Sequence, residues 1–366
     1  MNRVYFHNLD VLRFIAFFGV FISHIPLTAE FGFLSFLKGQ GRLGVDFFFL
    51  ISGFLITYLL LKEKNEKGRL DLVKFYLRRL LRIWPLYFVF MICIVALTYV
   101  FVDDFSLSRN TWLYTIFLGN FDRVWHGYET VRELPGFGVL WSISVEEQFY
   151  LFIPLLIAFI ARKKILFLSI LIIHIVSILF KVYIIVEYQN QHLAYQTLNF
   201  HSVSSFDLIS FGCLLAYAGI YYPTLFRRLA VGISHVAIPL SMLLFLLLQL
   251  LIYKSGSAVL EWILGGEMLA LIFSLPLIYI CFGKVNTEKK DKLMNYLNYL
   301  GKISYGLYLF HFPAIVLCQY YMTNPMLISL GALFITILSA SLSYNYFESY
   351  FLMVKKRFEI VRTRMD

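Results

Sequence analysis

Apolar runs of about twenty residues, separated by short basic segments, fill this chain and leave few folds open to it. A bilayer core is about 30 Å thick, so a helix rising 1.5 Å per residue needs about 20 apolar residues to cross it. Ten stretches read as spans: 9–28, 43–62, 83–102, 139–160, 164–186, 206–220, 230–252, 260–282, 303–322 and 327–350, the sixth being short. Only 15% of the 366 residues are charged and 60% are hydrophobic, whereas soluble domains are about a quarter charged. No polar stretch is long enough to fold as a separate soluble domain. The expected fold is all-α: a polytopic membrane helix bundle of about ten transmembrane helices. Residues 1–352 form its transmembrane domain, and 353–366 a basic tail.

The basic segments set the orientation. With the N-terminus in the cytoplasm, the segments expected inside hold 24 of the 32 Lys and Arg, and those outside hold six. That asymmetry is the positive-inside pattern, and an even number of spans returns the C-terminus to the cytoplasm as well. The net charge of +10 is therefore spent on topology and on anionic lipid, not on nucleic acid. Cys93, Cys213, Cys281 and Cys318 lie inside apolar runs without ligand spacing, so no disulfide framework is expected. The first run is interrupted by Arg13 and has no small-x-small cleavage site, so it reads as a retained helix.

That first run, LDVLRFIAFFGVFISHIP, holds two residues that hydrocarbon disfavours, Arg13 and His24. Eleven residues make three helical turns, so the two share one face about 16 Å apart along the axis. Asp46 near the start of the second span, and Glu146 and Glu147 near the start of the fourth, fall at about the depth of His24 on the outer side. An imidazole beside carboxylates is what a general base needs: the carboxylate fixes the tautomer and stabilises the imidazolium as a hydroxyl loses its proton. A buried polar cluster that locks helix packing is the plainer alternative. No two-His helical spacing supports a metal site.

Toward the cytoplasm, LDLVKFYLRRLLR at 70–82 reads as an amphipathic surface helix, with Lys74, Arg78 and Arg82 in one stripe and Arg79 beside it. It serves either to anchor lipid headgroups or to grip donor phosphates, for which Arg is well suited. Arg13, Ser304, Tyr305 and Glu348 lie at the same level, with His311 one to two turns deeper on the face of Ser304. Lys181 and His174, also seven residues apart, are a pore-lining or partner contact with no assigned role. The long outer loop 103–138 carries Thr111–Leu118, too short to span, then Asn120, Trp125, His126 and Tyr128. With Trp141 these are the expected acceptor side: a stacking platform for a sugar, or plain interfacial anchors.

The chain resembles the acyltransferase-3 family of bacterial membrane O-acyltransferases. The likeness is carried by Arg13 with His24 after ten intervening residues, GVDFFFLISGFLI at 44–56, FYLRRLLRIWPLY at 75–87, LWSISVEEQFYL at 140–151 and LGKISYGLYLFHFP at 300–313. The resemblance implies transfer of an acyl group, usually acetyl from acetyl-coenzyme A, to a hydroxyl of a glycan. It implies a multi-pass protein of the bacterial cytoplasmic membrane, with His24 as catalytic residue, Arg13 as its basic partner and Glu146 and Glu147 as the acidic pair. No appended esterase-like domain is seen, which is the pattern of the stand-alone members. The family's Arg before and Pro after the C-terminal acid are missing around Glu348, so no role carries over to that residue.

The expected route brings acyl-coenzyme A from the cytoplasm, its phosphates near Arg13, Arg78, Arg79 and Arg82, with Ser304 and His311 also binding the donor and the thioester reaching up along the face shared by Arg13 and His24. His24, oriented by Glu147, Glu146 or Asp46, then deprotonates an outer hydroxyl of a cell-surface glycan or lipid-linked saccharide. Two rival classes are a transporter or flippase, which would use buried charges as a path but for which no inverted repeat is visible, and an inactive scaffold.

Overall fold

The computed structural model describes residues 6, 8–26, 41–101, 109–127, 134–188, 191–233, 236–255, 259–283 and 292–359. The described residues contain helices and no strand. Each of the ten apolar stretches lies on a long helix: α1 (Leu9–His24), α2 (Gly41–Lys67), α3 (Leu72–Phe101), α4 (Leu140–Phe159), α5 (Lys163–Glu187), α6 (Ser202–Tyr221), α7 (Ala237–Ser255), α8 (Gly265–Phe282), α9 (Ser304–Tyr321) and α10 (Pro325–Leu342). By length and apolar composition seven helices can cross a bilayer, and nine if two bent pairs each count as one span. The bent pairs are Pro223–Gly232 with Ala237–Ile252, at 81°, and Lys292–Lys302 with Ser304–Tyr321, at 74°. The remaining one of the ten is α1, which has 16 residues before the chain passes Pro26 and leaves the described region. Among the described residues, length and composition thus support seven to nine of the ten expected spans.

Two expected boundaries move. The segment 70–82 is not a separate surface helix: it continues through Trp84 and Pro85 as one 30-residue helix, α3. Proline interrupts a single backbone hydrogen bond there while keeping a helical φ, and the packing of α3 holds the rest. The sixth span is longer than expected, because Gln191–Phe200 runs on through His201 into α6 as one apolar stretch. The His201 ring nitrogen accepts from the Val203 amide at 3.2 Å and so caps the start of α6. At the other end of the sequence the last helix passes through a π-turn, Ser343–Glu348, and continues to Lys356. The tail beyond 359 lies outside the described residues.

The helices are sorted by how much of themselves they hide. The most apolar window of α2 is 67% buried inside the protein, against 22% for α5. On α5 the exposed positions Ile172, Ile175, Val176, Leu179, Tyr183 and Val186 form one apolar stripe, while the buried face includes Ser177 and Lys181. This reverses the pattern of a soluble helix and is what a lipid-facing helix requires. At the centre, α2 and α6 come into backbone contact. A Cβ on Gly53 would overlap the Ile209 carbonyl, and one on Gly212 would overlap the Leu50 carbonyl. Small residues allow this approach where no hydrophobic effect between helices drives it. Gly212→Val should therefore destabilise the bundle by about 1–3 kcal/mol, the usual cost of overpacking. The readout is an earlier thermal unfolding midpoint in detergent; an unchanged midpoint would mean that α2 and α6 do not touch in this way.

Candidate active site

The first half of the site is a cavity of about 120 Å³ where α1, α2, α3, α4 and α9 converge. Three guanidinium groups line it: Arg13 from α1, and Arg79 and Arg82 from α3. Arg79 and Arg82 are three residues apart and so point to one side of the helix. Arg13 pairs with Asp10 at 3.1 Å, and Arg82 lies 3.7 Å from Glu348. Glu348, whose level makes it a candidate anion for Arg13, instead reaches Arg82 from the π-turn, while Arg13 has Asp10 one turn away on its own helix. Arg79 lies over the rings of Phe75, at 5.8 Å, and Tyr150, at 5.5 Å, and forms no ion pair among the described residues. Arg78 has turned away. It is bonded to Glu63 at 3.3 Å and to the Phe358 carbonyl at 2.8 Å, outside the cavity lining. The chemistry of this lining suits an anion of phosphate type.

Glu146 and Glu147 part company because successive residues on a helix are turned by about 100°. Glu146 lines the cavity and accepts a hydrogen bond from the Ser52 hydroxyl at 2.7 Å. Glu147 points elsewhere and accepts from the Trp84 indole at 3.0 Å. Ser304 and Tyr305, at the start of α9, complete the arginine side of the cavity, and the Tyr305 hydroxyl donates to the Ile83 carbonyl at 2.9 Å. One turn further along α9, Tyr308 also lines the cavity. Its hydroxyl donates to the Val139 carbonyl at 3.0 Å and lies 2.7 Å from the Ser142 hydroxyl.

Beside Tyr308 lies the second half of the site. The fully buried His311 stands 2.6 Å from the Tyr308 carbonyl through Nδ1, and its Nε2 lies 3.3 Å from Nδ1 of His24. His24 is exposed, and its Nδ1 is also 2.9 Å from the Val20 carbonyl of its own helix. No carboxylate among the described residues is bonded to either ring. His311, expected beside the donor, is therefore the partner of His24, and neither ring lines the cavity. The two halves adjoin at Tyr308, which lines the cavity and whose carbonyl and ring both meet His311.

Asp46 goes to a different network. It is 4% exposed and lies 3.3 Å from Arg42, one turn earlier on α2. Arg42 also donates to the carbonyls of Leu198, at 2.9 Å, and Asn199, at 2.6 Å. The buried pair Lys181–Asp207 joins α5 to α6, and His174 bridges Glu267 of α8, at 3.3 Å, to the Asp207 carbonyl, at 3.1 Å. Asp207 escaped the sequence reading, although an acid in the run SFDLISFG facing a lone Lys181 across the next helix was a signal for it. Asp207→Ala leaves a buried ammonium without its carboxylate and should cost about 3–5 kcal/mol of stability. Thermal unfolding in detergent measures this, and a loss below about 1 kcal/mol would mean water reaches Lys181.

The expected acceptor residues also divide. Asn120 is fully buried: it donates to the Phe200 carbonyl at 3.0 Å and to Ser202 at 2.9 Å, and accepts from Gln148 at 2.8 Å. Trp141 is buried between Phe49 and Phe200, in edge contacts of 6.0 and 5.1 Å. Trp125 is 63% exposed and stacked on Phe121 at 5.5 Å, one residue from His126, which pairs with Asp122 at 3.1 Å. All three aromatic and imidazole side chains belong to the short helix Gly119–His126. Tyr128 lies outside the described residues.

Comparison with known proteins gives the lineage. The chain is 29% identical to an O-acetyltransferase OatA of Staphylococcus aureus (strain MRSA252), an alignment covering 98% of this chain and 60% of that protein. It is 28% identical to a peptidoglycan O-acetyltransferase OatA of Listeria monocytogenes, covering 89% of this chain and 51% of that one. The chain thus spans little more than half the length of these relatives. No solved structure matches. The sequence profile of the acyltransferase-3 family, described as an acyltransferase domain, matches residues 6–345. With that match running over nearly the whole helix bundle, the chain belongs to the acyltransferase-3 family.

Proposed function

We propose that this chain is a membrane O-acetyltransferase that moves an acetyl group from acetyl-coenzyme A to a hydroxyl of a cell-surface glycan. The observation that carries the reading is the junction at Tyr308: it lines a cavity that Arg13, Arg79 and Arg82 also line, and its carbonyl is bonded by the His24–His311 pair. The cavity, about 120 Å³ and lined by Arg13, Arg79 and Arg82, offers cationic partners to an anionic part of the donor. In this reading coenzyme A approaches from the cytoplasmic side that the loop charges favour. Arg79 meets a donor phosphate, with Arg82 held beside it by Glu348 and Arg13 by Asp10.

In the reaction the acceptor oxygen attacks the thioester carbon as its proton passes to His24. The carbon–sulfur bond breaks, and the proton ends on the thiol of coenzyme A. In this reading the acceptor arrives from the outer side and meets the exposed ring of His24. Trp125 and Phe121 offer the exposed ring surface on which a sugar stacks. Because the Listeria relative is named for peptidoglycan, that polymer is the first acceptor to try. Vesicles containing the full chain, given acetyl-coenzyme A labelled in the acetyl group and a glycan on the opposite side, should release labelled glycan and free thiol in equal amounts. Label that crosses unchanged, or stays on the donor, would replace this reading with that of a transporter or a scaffold.

A further inference from the structure

We infer that His311 is the positioning residue of His24, filling with a neutral imidazole the place that a carboxylate fills in a carboxylate–histidine pair. The inference rests on the reading of His24 as the base and adds how that base is set.

The hydrogen-bond partners fix where the protons sit. A carbonyl oxygen only accepts, so His311 Nδ1, 2.6 Å from the Tyr308 carbonyl, carries the hydrogen of that bond. In the neutral ring this leaves Nε2 as an acceptor, and it faces His24 Nδ1 at 3.3 Å. His24 Nδ1 is also 2.9 Å from the Val20 carbonyl, so it too carries its hydrogen, shared between that oxygen and His311 Nε2. The neighbouring Ser23 hydroxyl, 3.4 Å from the same nitrogen, directs its own hydrogen to the Val20 carbonyl at 2.6 Å. One direction of donation runs through the whole chain, from His24 to His311 to Tyr308. It leaves Nε2 of His24 as the unprotonated nitrogen on the exposed ring, the one that takes the acceptor proton.

The arrangement also serves the charged intermediate. When His24 takes a proton at Nε2, its Nδ1–H still faces two acceptors, and no buried anion had to be kept for the purpose. Edge contact between Phe17 and the His311 ring, at 6.1 Å, and between Phe312 and the His24 ring, at 5.5 Å, holds both planes. The Tyr308 backbone that receives the end of the chain belongs to the cavity wall, which ties the orientation of the base to the wall facing the donor.

The test separates the acceptor atom from the shape of the ring. His311→Leu removes Nε2 and keeps bulk; it should lower kcat about 10- to 100-fold, the size of a hydrogen bond to a charged group, with the KM for acetyl-coenzyme A unchanged. His311→Gln places an amide oxygen where Nε2 stood and should recover most of the loss. Equal activity of His311→Leu and wild type, or equal impairment of the Leu and Gln variants, would overturn the proposal. Should the variants fail to fold, nitrogen-15 spectra of histidine-labelled wild-type protein in lipid decide: a hydrogen on Nδ1 of both rings is expected, and a hydrogen on Nε2 of either neutral ring overturns it. A folded wild-type chain that transfers no acetyl group would refute the functional reading alone, because the spectra still report the pairing.

Discussion

His24→Ala should lower acetyl transfer about 10²- to 10⁴-fold, the usual contribution of a general base, while leaving donor binding where it was. The second half of that statement follows from the geometry. His24 does not line the arginine cavity, and its ring bonds reach only its own helix and His311. Removing an exposed ring of that kind opens no core cavity, so the variant should accumulate in the membrane as the wild type does. Equilibrium binding of a non-transferable acetyl-coenzyme A analogue, measured beside turnover on the same preparations, reads both quantities. A variant that keeps more than about a tenth of wild-type turnover would remove His24 from the chemistry. One that loses donor binding in proportion would make His24 part of the donor site.

Much of this arrangement is legible in the sequence because depth is legible. Apolar run lengths and loop charges give each residue a height in the bilayer, and helical periodicity gives the shared stripe of Arg13 and His24. Height is one coordinate of three. Asp46, expected at the level of His24, instead pairs with Arg42 one turn earlier on α2. Glu147 is one residue from Glu146 and ends on Trp84 instead of in the cavity. His311 was placed beside the donor because it shares a face with Ser304, yet seven residues along α9 carry it past the cavity wall to a partner 287 positions away. Nothing in the order of residues announces a pairing across that separation. Packing angles decide it, and they depend on small residues and ring shapes summed over several helices.

The same limit produces the sharpest contrast between neighbours. Arg78 and Arg79 are adjacent, and each shares a face with Arg82, at four and three residues, so periodicity alone assigns both to the donor. The structure gives the cavity to Arg79 and gives Arg78 to the buried Glu63 and the Phe358 carbonyl. Arg79→Ala should therefore raise the KM for acetyl-coenzyme A about 10- to 100-fold, from the loss of charge-assisted bonds worth about 1.5–3 kcal/mol, with kcat at saturating donor little changed. Arg79→Lys should recover only part, since an ammonium keeps the charge without the planar fork. Arg78→Ala leaves Glu63, which is 3% exposed, with the Asp71 amide but without its ion-pair partner, and should appear as lower thermal stability with an ordinary donor KM. Equal shifts in donor KM for the two variants would mean that phosphate binding takes place outside the cavity, along the whole basic stripe of α3. An unchanged KM in Arg79→Ala would leave the cavity without an anion to hold, and the donor would have to enter the bundle elsewhere.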